Sequence, residues 1–548
     1  MPPTARQWRR LRKDAEVARR LVGNLLAEVS APPTDRLDAS LSRTLKRLKA
    51  AFGLAGDLVV RPFRLGGPGE RKAAVIYLDG MVDARVVHED ILNSLQKAGA
   101  EPGFVQTGVE RPSGGLSQSG PLALPSPLAA GQVTSTSKLS KTVDAVLGGK
   151  VALLLDGHPR AWFIDAKGFK TRNPEAPTTE QDILGSKEGF VEDLRANTSM
   201  IRRRIKDRNL QLVEMTVGRK SRTRVTVIYL ADVANPALVT AVLSRLHAID
   251  AETVASANAL AAYVKDHNWS PFPVAELTER PDVVAMEVLD GRVGILVEND
   301  PFAVLVPATF WDFFQAADDY NQGALGATLG RLVRFLAFFL STFLPGLYTA
   351  FVMIHLDLVP FDLALSVAGS RQGVPFPAPL EYFFLIIMFE VMREVSIRIP
   401  KTMGATIGVV GGIVLGQAVV QAGVVSAPLI VVVALVALAL FTTPHYQMTV
   451  MARMLSLISL AVGSALGVYG ILLAAMAVIV HLASLTSFDV PYLAPAAPAS
   501  RGFAVDTLTR APLWSLRRRP YQYQPTDVRK RDDYRTPMPY PDLEEARS

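Results

Sequence analysis

Two glutamines, Gln417 and Gln421, sit four residues apart inside an otherwise apolar run, TMGATIGVVGGIVLGQAVVQAGVVS, residues 402–426. A run of that length suits a helix crossing a bilayer, which needs about 20 mostly apolar residues. On such a helix the two amides share a face, and lipid cannot satisfy them. They require a partner helix or water. Gly404, Gly408, Gly412 and Gly416 recur at intervals of four. In water each would cost about 1 kcal/mol against alanine. In lipid the same ladder lets a neighbouring helix pack backbone to backbone. The residues alone leave two readings open, a small-residue packing seam and the wall of an oligomeric pore.

The other polar chemistry near the membrane is ionic. EYFFLIIMFEVMREVSIRIPK (381–401) is apolar for about ten residues and carries Glu381, Glu390, Arg393, Glu394 and Arg398. Charges of this kind face protein, water or headgroups rather than lipid. The segment is short and charged for a full crossing, so it is expected to be an interfacial or re-entrant helix. These charges suit a structural cluster and an ion-path or gating element equally well. Catalytic signatures are missing: the chain has no P-loop, no GxSxG, no HExxH and no EF-hand loop. Its seven histidines are scattered without metal-ligand spacing, and no cysteine is available as nucleophile, thiolate ligand or disulfide partner. No enzyme, no cofactor and no metal site is expected.

The elements that must hold these residues belong to a long, uneven chain. At 548 residues it is two or more domains. Hydrophobic content is 49% and mean hydropathy +0.23, with the apolar excess after residue 330. Residues 1–50 carry twelve Lys/Arg against five Asp/Glu, a surplus equal to the formal +7 of the whole chain. A basic arm next to a membrane protein is most simply an anchor on anionic lipid. Trp8 is the one aromatic residue among these charges, too little for aromatic interleaving, so no nucleic acid is expected as a partner. The first apolar stretch is short and broken by arginine. A large cytoplasmic amino-terminal region is expected on that ground.

Residues 1–60 read as a basic arm of two amphipathic helices, 5–30 and 36–52, with Leu37, Leu41, Leu45 and Leu48 as one stripe and Asp35 as a cap. Residues 61–111 begin a first α/β unit with a strand at 73–79 and a helix at 86–98. Residues 112–137 contain sixteen Gly, Pro, Ser or Thr and read as a linker. The unit resumes over 138–210, and 211–330 form a second unit. An internal likeness relates the two: VIYLDGMVDARVVHEDILNSL (75–95) parallels VIYLADVANPALVTAVLSRL (227–246), and GKVALLLDGHPRAWFID (149–165) parallels GRVGILVENDPFAVLVP (291–307). The expected fold is an α/β region of two related tandem units followed by a helical polytopic membrane domain. The charged helix EGFVEDLRANTSMIRRRIKDRNLQL between the units reads by itself as a solvated face with i,i+4 pairs. Glu279, Arg280 and Asp282 are placed to dock one domain on another. The membrane domain covers 331–490, with full spans expected at 332–356, 402–426, 427–444 and 454–484 and a partial element at 381–401. Pro345–Gly346 is expected to kink the first span. Residues 357–379 read as a polar, Pro-rich connection. Residues 491–548 form a basic tail, whose arginines favour a cytoplasmic end.

Several long segments carry a family resemblance in one order. GFVEDLRANTSMIRRRIKD, VGRKSRTRVTVIYL, TERPD, PFAVLVP, LPGLYTAF, VPFPAPLE, EVMREVSIRIPKTMGATIGVVGGIVLGQAVVQAGVVS and PYLAPAAP run from about 135 to 500. Together they resemble the A-subunit family of spore germinant receptors, the GerA type. The resemblance implies a multi-pass subunit in the inner spore membrane that works with a transporter-like B-type subunit and a lipoprotein C-type subunit. It implies a homo-oligomer in membrane lipid that conducts monovalent cations when a nutrient binds. Under that reading Gln417, Val420, Gln421 and Val424 line the constriction, where apolar side chains close a pore by dewetting. The paralogous stage V sporulation membrane protein shares the same segments, which leaves an accessory channel in solute release as the alternative. A non-conducting membrane scaffold is a third reading.

Overall fold

The computed structural model describes residues 35–65, 71–83, 85–93, 134–166, 177, 180, 184–398, 416–499, 504–512 and 514–530. The arm helix expected at 5–30, most of the linker, and Gly404, Gly408 and Gly412 lie outside these residues.

Helix α1 (Leu41–Phe52) buries Leu41, Thr44, Leu48 and Phe52, one stripe at helical spacing, and ends at Gly53 with φ 61°. That stripe packs into the core of the first sheet, so the second arm helix is part of the first unit. Residues 36–40 do not wind into the helix. They bridge to Lys138, and this displaces Asp35 from the cap it was expected to form. Asp35 instead caps α3 (Leu139–Leu147), accepting from the Ser140 amide and hydroxyl at 2.9 Å each. The α1 amide of Leu41 is capped by Asp156, at 2.9 Å.

The first sheet comprises β1 (Leu58–Leu65), β2 (Arg71–Leu78), β3 (Thr134–Thr136), β4 (Lys150–Leu155) and β5 (Ala161–Asp165), in the spatial order β1-β2-β4-β5-β3. A short π-type helix α2 (Val86–Leu92) follows β2. The end of the expected linker is thus an edge strand, β3, paired with β5. Helix α4 (Leu194–Arg204) leads into the second sheet, β6 (Leu210–Val217), β7 (Thr223–Leu230), β8 (Glu276–Thr278), β9 (Val293–Val297) and β10 (Ala303–Val306), in the order β6-β7-β9-β10-β8. Its helices are α5 (Pro236–His247), α6 (Ala257–Val264) and α7 (Pro281–Leu289). The amino-terminal part is α/β in content, and each of its strand ladders among the described residues is antiparallel.

Helix α4 corrects the expectation of a solvated charged face. Asp193 caps its first turn, and Asn197, Ser199, Met200, Ile201 and Arg202 are buried. Arg202 reaches into the first unit and holds Asp57 with two hydrogen bonds, at 2.8 and 2.9 Å. Paired in this way, a charge tolerates burial.

The carboxy-terminal part is helical. It contains α8 (Ala324–Met353), α9 (Phe361–Arg371), α10 (Ala378–Arg398), α11 (Gly416–Gln421), α12 (Ala427–Phe441) and α13 (Tyr446–Ser484). Two of these, α8 and α13, are long and apolar enough to cross a membrane. Helix α8 stays helical through Pro345, and the Pro-rich connection at 357–379 contains α9.

Helix α13 is not one rod. Gly467 breaks it at φ 64°, ψ −151°. The arms 446–466 and 468–484 form a hairpin, because both open ends meet the second unit. Gln447 bonds the Ala275 carbonyl and the Leu277 amide, while His481 bonds Ser270. Met448, Met451, Leu455, Leu482 and Leu485 share one core with Phe272, Phe310, Phe313 and Phe314 of the amino-terminal part and Phe335 and Phe338 of α8. Residues 514–530 run back along the second unit, with the Thr526 amide on the Val233 carbonyl at 2.8 Å and Lys530 on Asp290. Sheet, helices and tail therefore meet at one junction.

Candidate functional site

Helix α11 presents the two glutamines. Gln417 and Gln421 are exposed, Val420 is half-buried, and among the described residues beyond its own helix turn a Cβ added at Gly416 would meet no atom within 4 Å. The helix does not continue to residue 426. Gly423 takes φ 66°, its amide bonds the Val420 carbonyl at 3.0 Å, and the Val424 amide bonds the Val419 carbonyl at 3.1 Å. These two bonds close a Schellman motif, which a left-handed glycine makes inexpensive. Val424 consequently leaves the stripe and packs beside the cluster of Tyr382, Leu385, Val425, Leu429 and Leu460. Gln417, Val420 and Gln421 share the final turns of the helix; Val424 lies past its end.

The five charged residues of α10 divide among three places. Glu381 is buried at the start of the helix, accepts from the Ser426 amide at 2.8 Å and pairs with Arg371 at 3.1 Å. Nine residues on, about 13 Å along the axis, Glu390 pairs with Arg393 and with Arg453 of α13, at 2.6 and 3.0 Å. Arg393 also donates to the Tyr446 hydroxyl. Glu394 and Arg398 form an exposed i,i+4 pair at 2.6 Å. Helix α10 thus runs from the α11 end of the bundle towards the end where α13 begins, and Arg398 lies beyond Arg393 in that direction.

Reasoning from residue types missed the densest polar cluster, at the junction. Arg292, at the start of β9, is 0% exposed. It pairs with Glu276 at 2.7 Å and Glu287 at 2.9 Å, faces Asp312 at 3.8 Å, and lies 5.5 Å from the ring of Tyr523 in the tail. The Tyr523 hydroxyl donates to Asp312 at 3.0 Å. Burial pushes Glu276 up to about 7 even though Arg292 pulls it down. The cluster thus links a strand, a helix, the loop before α8 and the tail. The sequence signal is weak, since Arg292 looks like an ordinary strand-edge arginine after the Asp290–Gly291 turn.

TERPD, expected to dock domains, holds the segment before α4. Arg280 is buried, bonds the carbonyls of Glu180 and Ser186, and pairs with Asp282 at 2.7 Å. Beside it Glu180 accepts from Thr278 at 2.6 Å and faces His445, which precedes α13. Burial raises Glu180 to about 7 from an ordinary 4.5, and burial lowers His445. Below pH 4.5 the acid is protonated whether folded or not and costs nothing. From there to about pH 7 the unfolded chain releases a proton that the folded chain retains, so stability falls as pH rises. The imidazole acts in the opposite sense, destabilising as pH drops below 6.5. Glu180→Gln is expected to raise the melting temperature relative to the parent at pH 7 to 8 and to converge with it near pH 4.5. Equal melting curves at every pH would place Glu180 in solvent.

A second ionic knot sits where α8 begins. Arg331, fully buried, holds Asp319 at 2.9 Å and Asp506 at 3.0 Å, and Arg334 shares Asp319 at 2.8 Å. It lies just ahead of the apolar part of the helix, on the junction side.

Comparison with known proteins follows the same layout. The family model described as "Bacillus/Clostridium GerA spore germination protein" matches residues 46–522, so it begins within α1 and reaches further than the motifs quoted above. The chain is 37% identical over 401 residues to the "Uncharacterized membrane protein YfkQ" of Bacillus subtilis (strain 168), covering 73% of this chain and 78% of that one. It is 35% identical over 500 residues to "Spore germination protein B1" of the same organism, covering 90% and 100%. Among solved structures, the amino-terminal domain of the A subunit of the Bacillus megaterium spore germinant receptor GerK3 aligns at 28% identity with a TM-score of 0.38. That alignment covers 51% of this chain and 99% of that domain.

Proposed function

This chain belongs to the GerA family of spore germination proteins, and from that premise we propose that it is a receptor A subunit that oligomerises as a nutrient-gated monovalent cation channel. The partners in this reading are the transporter-like B-type and lipoprotein C-type subunits, the location is the inner spore membrane, and no enzymatic step is involved. The two sheets, with their matching strand orders, are read as related tandem units.

One observation carries the oligomer. Gln417 and Gln421 are exposed, and among the described residues nothing lies within 4 Å of a Cβ added at Gly416. An amide left in lipid is costly, whereas a neighbouring subunit or a water-filled pore satisfies it. The same face then lines the conduit, with Val420 as the apolar gate.

Contacts at the two ends of the bundle support a multi-pass topology. Helix α8 leaves the junction, α10 returns to it, α11 lies at the far end, α12 comes back, and the α13 hairpin goes out and returns. The α13 arms span about 31 and 25 Å at 1.5 Å per residue, close to a bilayer core of about 30 Å. Both soluble sheets, Arg393, Arg398 and the basic tail fall on one side, as positive-inside loops do.

Spores carrying Val420→Ala or Gln421→Ala at normal protein levels are expected to release potassium without nutrient, or at a clearly altered rate with it. Unchanged, nutrient-dependent release from both would return α11 to a packing role. The accessory-channel alternative predicts altered release through every nutrient receptor in the spore rather than through one.

A further inference from the structure

We propose that the loop between α6 and β8 is a lipid-contact site, with Trp269 seated in the headgroup layer of the bilayer. The proposal rests on the reading that α13 crosses that bilayer. Trp269 is 99% exposed, although the loop around it is firmly held. Asp266 accepts from the Phe488 amide at 2.6 Å, and His267 bonds the Thr486 amide at 3.2 Å. Ser270 bonds His481 at 3.0 Å, and Phe272 is buried against His481 and Tyr492. A tethered loop that leaves its largest side chain outside is presenting it to something.

The tether also fixes the level of that side chain. Residues 471–480 of α13 read ILLAAMAVIV, and Leu472, Leu473, Met476, Ile479 and Val480 are exposed. His481 is the first polar residue after this run, and it is the one that Ser270 grips. The loop therefore stands where the apolar face of the helix ends. Tryptophan favours that depth, because its ring is apolar and its indole N–H reaches headgroup oxygens or water. Phe441 at the end of α12 and Tyr446 at the start of α13 are also exposed at the junction end. Trp269 extends this aromatic series from the helices to the soluble unit, which is thereby anchored to lipid as well as to protein.

The test uses the full chain in phosphatidylcholine–phosphatidylglycerol vesicles that contain lipids spin-labelled near the headgroup or deep in the acyl chain. The difference in fluorescence between the parent and Trp269→Phe isolates the one indole. Expected is a blue-shifted difference spectrum, quenched at least twofold more strongly by the shallow label than by the deep one. Quenching by aqueous acrylamide alone would overturn the proposal. So would shielding from both acrylamide and lipid labels, which would assign the loop to another protein chain. Met476→Trp in the Trp269→Phe background monitors the helix. If that indole too escapes the lipid labels, the membrane reading has failed. If it is quenched while Trp269 is not, only the anchor has failed.

Discussion

Arg292→Met is expected to destabilise the junction by about 3–5 kcal/mol, the range for breaking a buried ion pair on one side. The guanidinium holds Glu276 and Glu287 and faces Asp312 within 3.8 Å. Methionine fills comparable volume but leaves the carboxylates without a cation, and a buried charge without a partner is the costly state. The tail should respond first, because Tyr523 is bound to Asp312 and packs near the arginine. Limited trypsin digestion is then expected to cut at Arg517 and Arg518 well before the parent is touched; Arg519 is protected by Pro520. Acid should soften the defect: Glu276, which burial pushes up to about 7, takes a proton as the pH falls, and the missing cation then matters less, so parent and variant should approach one another from pH 7 down to about 5. A variant as trypsin-resistant as the parent at pH 7 would mean that the cluster does not hold the tail.

Much of this architecture was legible before any coordinates. The periodic stripe of Leu41 and Leu48 marked α1, the β-rich words at 75 and 227 marked β2 and β7, and the later pair at 149 and 291 marked β4, β5, β9 and β10. Hydrophobic periodicity reads well when one face is buried. Breaks inside apolar runs were harder. Gly423, followed by Ser426 and Pro428, is a helix stop and start, but in a run of valines it passed as continuous span. Gly467 is similar, although length gave a clue: 39 residues make about 58 Å of helix, nearly twice a bilayer core.

Ionic partners were harder still. Glu390 pairs with Arg393 three residues on, but its second partner, Arg453, is 63 residues away. Arg202 with Asp57 and Arg331 with Asp506 are separated by 145 and 175 residues. Local spacing yields i,i+4 neighbours and nothing about such pairs, so α4 was read as solvated when its arginine is buried. For α11 the sequence supplied the polar face, and the structure adds that Gln417 and Gln421 are exposed on it.

That contrast gives the second large effect, a comparison of two glycines. Gly346 of α8 lies against the first arm of α13, where an added Cβ would collide with the carbonyl and hydroxyl oxygens of Ser459. From the other side, a Cβ on Gly463 would come within 2.5 Å of the Gly346 carbonyl oxygen. The two backbones touch, as helices in lipid do where small residues face each other. A methyl cannot be accommodated by rotating a side chain, because the obstacle is main chain. Gly346→Ala is therefore expected to cost at least the roughly 1–3 kcal/mol of an overpacked core, and Gly346→Val to prevent accumulation of the protein. At Gly416 a methyl meets nothing among the described residues, so Gly416→Ala should leave the monomer's melting temperature unchanged or slightly raised by helix propensity. Its effect belongs to assembly. If the open side of α11 is the subunit contact, Gly416→Ala should lower the fraction of cross-linked oligomer in membranes while the monomer stays intact. If oligomers form as in the parent, the contact between subunits lies on another face and the exposed glutamines point to water in the conduit instead.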